Sequence, residues 1–180
     1  MTASIEYKEP SPTRARKASI CEYAEKLREK VGLENGFDLP GIVNRNGGKL
    51  SYIDFMDDDQ TDAIVVNPED KFIIRLSSHT GALRDNFTIA HELAHFVLHW
   101  PIVKQKNPGC GMKATRKVDE SNDDLRRCEW EANWFASAFL MPERRFRDAY
   151  KKKNASEVFG VTQSAVEVRA KALGLNDEGR

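Results

Sequence analysis

The sequence predicts an α+β domain: a short β-sheet packed on one helix that carries His-Glu-Leu-Ala-His and on a second helix that carries glutamates. Three observations predict it. Three short runs, Leu50–Phe55, Ala63–Val66 and Lys71–Leu76, have strand character. Two longer runs, 83–99 and 128–141, are so rich in apolar residues that helices formed there must be buried. The length of 180 residues suits a single domain with a substantial core.

Along the chain, residues 1–13 hold Pro10, Pro12 and small polar residues and read as a flexible tail. Ile20, Ala24, Leu27 and Val31 recur at i, i+4, i+7 and i+11, which predicts an amphipathic helix. Asp38-Leu-Pro-Gly opens a short helix and Asn46-Gly-Gly ends it. Asn67-Pro-Glu-Asp is a turn that joins the second and third strands as a hairpin. Residues 101–127 contain Pro101, Pro108, Gly109 and Gly111 and read as a long irregular segment, a lid or a binding loop. Within it, Cys110 is placed to face solvent or to reach a metal, and 119–124 is an acidic, solvated face. The second apolar helix stops before Pro142, as proline requires. Residues 151–180 read as a helical extension on the same domain. Ala155–Leu173 within it has helix-turn-helix spacing. Arg144, Arg145, Arg147 and Lys151–Lys153 add positive charge beside it, but Glu167 and the scarcity of base-reading side chains weigh against DNA contact.

The chemistry lies in residues 91–95. On a helix, positions i and i+4 face the same way, so His91 and His95 can share one metal ion. Glu92 follows the first histidine, turned by about 100°, and can reach a water on that ion. Phe87, Ala90, Ala94, Val97 and Leu98 form one apolar stripe, and Ile89, Leu93 and Phe96 a second. Two histidines and a carboxylate buried on such a helix need partners. A metal satisfies all three; the alternative is core histidines bonded to carbonyls with Glu92 paired to an arginine. A catalytic zinc needs a third protein ligand. His99 lies a full turn too far along the axis and reads as a cap or as support for a ligand. Glu129 shares one side of the second helix with Ala132, Asn133 and Ala136, and the alanines permit close approach to the first. Glu129 is therefore the candidate third ligand, with Glu131 and Cys128 as alternatives. Asn133 is placed to bond the outer nitrogen of a ligand histidine. Phe72–Ser77, just before the metal helix, reads as an edge strand on which an extended peptide could add.

Thr88-Ile-Ala-His-Glu-Leu-Ala-His-Phe-Val-Leu-His99, together with Glu129-Trp-Glu-Ala-Asn-Trp-Phe-Ala-Ser-Ala-Phe-Leu-Met-Pro142, resembles the ImmA/IrrE family of zinc metallopeptidases. The resemblance implies a small thermolysin-like, gluzincin-type metallopeptidase domain over 14–150, with one zinc on His91, His95 and Glu129 and with Glu92 as the general base. It further implies an endopeptidase that cleaves a specific protein partner such as a helix-turn-helix repressor, in the manner of stand-alone anti-repressor proteases. The other reading is a zinc-containing regulatory module, binding protein or DNA, with little proteolysis. The family's usual glycine before the second histidine is Ala94 here, and Asn86 stands where an arginine is common. An oxyanion stabiliser is expected, with His79, Tyr52 and Tyr150 as candidates.

Composition narrows the class. Charge is balanced, with 28 basic and 28 acidic side chains, so nothing in it points to nucleic acid. No apolar run is long enough to span a bilayer and no signal-peptide pattern is present. Cys21, Cys110 and Cys128 form no disulfide framework, which fits a reducing cytoplasm.

Overall fold

A computed structural model describes residues 4–33, 38–54 and 62–175. Helix α1 (Lys17–Lys30) and helix α2 (Leu39–Arg45) precede the sheet strands β2 (Gly48–Ile53), β3 (Asp62–Val66) and β4 (Phe72–Ser77), and β1 (Tyr7–Lys8) lies before α1. Helix α3 (Ala82–Ala94) runs into a π-helical turn (His95–His99) and then α4 (Trp100–Lys106). Strand β5 (Gly111–Thr115) follows, then α5 (Asp123–Leu140), α6 (Glu143–Lys151), α7 (Ala155–Phe159) and α8 (Gln163–Ala172). This is the expected α+β architecture.

Local chemistry explains most of the boundaries. Asp38 caps α2 by accepting from the Gly41 amide at 2.9 Å, and Pro40 occupies its first turn. Asn122 caps α5 through the amides of Asp124 and Leu125. Pro101 sits in the first turn of α4, directly after the π-helical turn. The tight α7–α8 turn uses Gly160 at φ +59°.

The sheet order is β1-β5-β3-β4-β2. β3 and β4 form the expected hairpin, with Ile64 opposite Ile74 and Val66 opposite Phe72. β2 lies parallel to β4 over the whole of both strands, from Gly48–Phe72 to Ile53–Ser77. Phe72–Ser77 is therefore an interior strand with partners on both sides, not the edge that its place beside the metal helix suggested. Its Phe72, Ile74 and Leu76 are buried, and Ile73 points outward.

Two segments expected to be irregular are built into this sheet. Tyr7–Lys8, in the stretch expected as a flexible tail, pairs parallel with Gly111–Met112. Strand β5 arises from the supposed lid and buries Met112 and Ala114 against β3. Gly111 is needed there: a Cβ would stand 2.6 Å from the Tyr7 ring and 2.6 Å from the Val66 carbonyl oxygen.

Helix α3 packs on β4 and α5, and α1 packs along α5. Ile20 and Ala24 of α1 are buried there, as their periodicity predicts. The C-terminal end of α5 has no basic residue in its last turn. Arg28 of α1 reaches it instead and donates to the carbonyls of Phe139 (2.8 Å), Leu140 (3.2 Å) and Leu33 (3.0 Å). Arg169 of α8 donates to the Met141 carbonyl at 3.0 Å. Two buried cations thus satisfy carbonyls that a helix end leaves open.

Candidate metal centre

The long rod of α3 and the π-helical turn presents His91 and His95 to α5, which presents Glu129. Ala132 and Ala136 are fully buried between the helices, which lets them approach closely. One ligand atom from each of His91, His95 and Glu129 lies within 4.8 Å of the others. The two Nε2 atoms are 3.3 Å apart. Glu129 sets one carboxylate oxygen 3.2 Å from His91 Nε2 and the other 3.2 Å from His95 Nε2. Ligands at about 2.0–2.1 Å around a tetrahedral zinc are separated by about 3.3–3.4 Å. The donor set therefore has the size and chemistry of a three-ligand zinc site.

A second observation points the same way. Glu92 is 5% exposed, and its Oε2 is buried without a hydrogen-bond partner among the described residues. Burial pushes its carboxyl up to about 7, with Glu129 adding to the rise and the His91 and Arg116 charges opposing it. A carboxylate so placed is a proton acceptor waiting for a donor. Burial likewise pushes His95 down to about 4, against the pull of the Glu129 carboxylate beside it. His95 is therefore neutral, the form in which imidazole binds a metal. Burial works to raise the Glu129 carboxyl, but the His91 and His95 rings, each 3.2 Å away, hold it well below the usual range. For His91, burial lowers the pKa, but the Glu129 bond and the nearby carboxylates more than offset this and raise it.

Other groups support the ligands. His91 Nδ1 donates to Asn133 Oδ1 at 3.0 Å, which fits the support role read for Asn133. His95 and His99 face each other Nδ1 to Nδ1 at 3.0 Å, and His99 Nε2 lies 3.1 Å from Glu131 Oε2. The π-helical turn, with more residues per turn than an α-helix, stacks His99 over His95. Glu131 lies outside the metal group. Burial would raise its carboxyl, yet bonds from His99, Arg127 and Thr13 bring it down to about 2. Cys128 is buried and outside the group, and burial pushes its thiol up. Cys110 sits near Glu6 instead of the cluster.

A cleft of about 240 Å³ covers His91, Glu92, His95 and Glu129. None of His79, Tyr52 and Tyr150 lines it; His79 is exposed and bonded to Asp54. Arginines line it instead: Arg75, Arg84 and Arg116. Arg116 follows β5 and donates to the Arg75 carbonyl at 2.7 Å. Sequence reasoning missed it because it lay in the segment read as irregular. A wider groove of about 970 Å³ shares Arg84, Thr88 and His91 with this cleft. Phe87, Trp130, Trp134 and Val168 line that groove, with no Asp or Glu among its walls. Asn86, where an arginine was expected, donates to the Gly160 carbonyl at 2.8 Å and ties α3 to the α7–α8 turn.

Among the described residues no helix is long and apolar enough to cross a membrane. No curated protein matches the chain. Its fold is similar to that of a Mycobacterium tuberculosis transcriptional regulator, with a TM-score of 0.55 and 22% identity over 85% of this chain. This chain spans 46% of that regulator's length. Residues 44–171 match the Peptidase_M78 family, described as the IrrE N-terminal-like domain.

Proposed function

The chain belongs to the Peptidase_M78 family of IrrE N-terminal-like domains, and from that premise we propose that it is a zinc-dependent endopeptidase acting on a specific intracellular protein. The observation that carries this reading is the three-ligand group with the orphaned carboxylate of Glu92 beside it. A structural zinc site closes with four protein ligands and has no use for such a carboxylate.

His91, His95 and Glu129 hold the ion, and Asn133 orients His91. Bound there, zinc supplies a Lewis acid and lowers the pKa of a water toward about 7. Glu92 takes the proton of the attacking water and returns it to the leaving amine. Arg116, whose charge already acts on Glu92, stands at the cleft to stabilise the oxyanion. Since β4 is paired on both sides, the extended peptide adds along β5, where Ala114 and Thr115 line the cleft and β1 pairs only as far as Met112. The rest of the substrate runs into the groove of Phe87, Trp130, Trp134 and Val168. A helix-turn-helix repressor is the partner proposed.

The test is zinc content of the purified protein, wild type beside Glu129→Ala and Glu131→Ala. About one zinc per chain, lost with Glu129→Ala and at most weakened in Glu131→Ala, is the expected result. A wild type that takes up no zinc would overturn the reading. Coexpression with a candidate repressor then separates enzyme from binding module: truncation that depends on Glu92 supports the enzyme, and binding without truncation supports the module.

A further inference from the structure

Glu131 accepts more hydrogen bonds than its place on α5 alone would supply. Oε2 receives the Thr13 amide at 2.8 Å, the Thr13 hydroxyl at 2.9 Å and His99 Nε2 at 3.1 Å. Oε1 receives the Arg14 amide and Arg127 Nε, each at 2.9 Å. Arg14 has left-handed backbone, φ +56°, a conformation that a residue with a Cβ adopts only when its surroundings hold it there. The Arg14 side chain pairs with Asp124, and Arg127 also donates to the Ala15 carbonyl, so both ends of this clasp are fastened to α5. Glu131 and His99 are both 0% exposed, and His95 is 1% exposed.

We propose that Glu131 and His99 are positioning residues of the metal centre, held by Thr13 and Arg14, so that the chain's N-terminal segment sets which nitrogen of His95 faces the ligand group. The proposal rests on the reading of His91, His95 and Glu129 as metal ligands. The proton positions follow in order. A carboxylate surrounded by donors can only accept, so His99 carries its proton on Nε2. In the neutral ring His99 Nδ1 is then a lone pair, and at 3.0 Å it accepts from His95 Nδ1–H. That leaves His95 Nε2 unprotonated, aimed at Glu129 and His91. Each imidazole is locked in one tautomer by the next group outward, and the last group is locked by backbone amides that no side-chain change removes. Partners of this kind typically change metal affinity 10- to 100-fold when lost. Thr13 and Arg14 lie outside the 44–171 stretch that matches the family. The support thus comes from a segment that precedes the matched stretch.

Two measurements on the full chain test this. In metal-free, 15N-labelled wild type, ring-nitrogen shifts should show His95 as the Nδ1–H tautomer alone; the Nε2–H form would overturn the proposal. Zinc affinity, read by competition with a fluorescent chelator, should fall about 10- to 100-fold in Glu131→Gln and His99→Phe. Thr13→Ala should lose affinity by a smaller factor, and Thr13→Ser, which keeps the hydroxyl, should bind as wild type does. Should His99→Phe fail to fold, the Thr13 pair decides, because both variants keep every buried ring. Unchanged affinity in Glu131→Gln and Thr13→Ala would overturn the proposal. A wild type that binds no zinc yet shows the locked His95 tautomer, lost in Glu131→Gln, would sink the ligand reading and leave the positioning chain standing.

Discussion

In the proposed mechanism, Glu92 is the residue on which the chemistry turns. It is buried, its Oε2 lacks a partner, and it adjoins the ligand group. Glu92→Gln keeps the shape of the side chain and removes its basicity. The expected outcome is zinc retained and cleavage of a truncated partner reduced about 10²- to 10⁴-fold, measured as single-turnover rate against zinc content; undiminished cleavage would refute the proposed base. Arg116→Gln should lower the rate while zinc and fold persist, because the cleft loses a cation and no ligand. At this scale the sequence was informative wherever one helix carries both partners of a geometric relation. The i, i+4 spacing placed His91 and His95 together, and the i, i+4 spacing of Glu129 and Asn133 put both on the face toward α3. Arg116 and Thr13 were not legible, because each reaches the site from another part of the chain and no local period marks the path.

The elements show where local pattern stops being informative. Helices α1, α3 and α5 bury one face over several turns, so their apolar period is long enough to recognise. β1 has two residues and β5 has five; neither is long enough to show alternation against a background of Gly, Pro and charge. The strand β4 was recognised, but its neighbours are set by how β2 returns parallel to it, which is a tertiary fact. Two predictions belong here. Arg28→Met removes the donor to the Phe139, Leu140 and Leu33 carbonyls and should cost about 2–3 kcal/mol in denaturant unfolding; a loss within error would mean water replaces the guanidinium. Asp70, on the β3–β4 turn, accepts from Trp100 Nε1 and Lys104 on α4. The Lys104 bond, then the Trp100 bond, holds its carboxyl below the ordinary range. A carboxylate lowered on folding stabilises above its unfolded pKa, and that contribution is lost as pH falls through the folded value. Asp70→Asn should therefore flatten the acid side of the stability profile, by at most about 1 kcal/mol for so exposed a pair.

For the molecule as a whole, the proposed metal centre ties metal binding to stability. The ligands come from two helices that the core already holds together, so the protein should fold without zinc and gain stability with it. At a free zinc concentration about 100-fold above Kd the gain is about 2.7 kcal/mol, or a rise of roughly 5–10 °C in Tm for a chain of this size. Differential scanning calorimetry with and without chelator measures it, and Glu129→Ala should show no difference between the two. The match to the family over 44–171 leaves β1 and α1 outside, yet β1 completes the sheet and α1 packs along α5. A chain cut back to the matched stretch should lose both partners and be markedly less stable.

The π-helical turn at His95–His99 can be restated as a matter of counting. A turn closed by i→i+5 bonds holds one residue more than an α-turn does. The rod from Ala82 to Lys106 is thus an α-helix with a surplus residue just after the second histidine. Deleting Val97 would let the rod close as a regular helix, with His91, Glu92 and His95 undisturbed. Because the wide turn absorbs the surplus, α4 beyond it would stay in phase and Lys104 would stay beside Asp70, while the old His99 would stand three residues from His95 instead of four and lose its place against that ring. A single-codon deletion would leave the recognisable motif and α4 intact and break only the contact between His95 and His99, a lesion that reading the motif alone would never reveal.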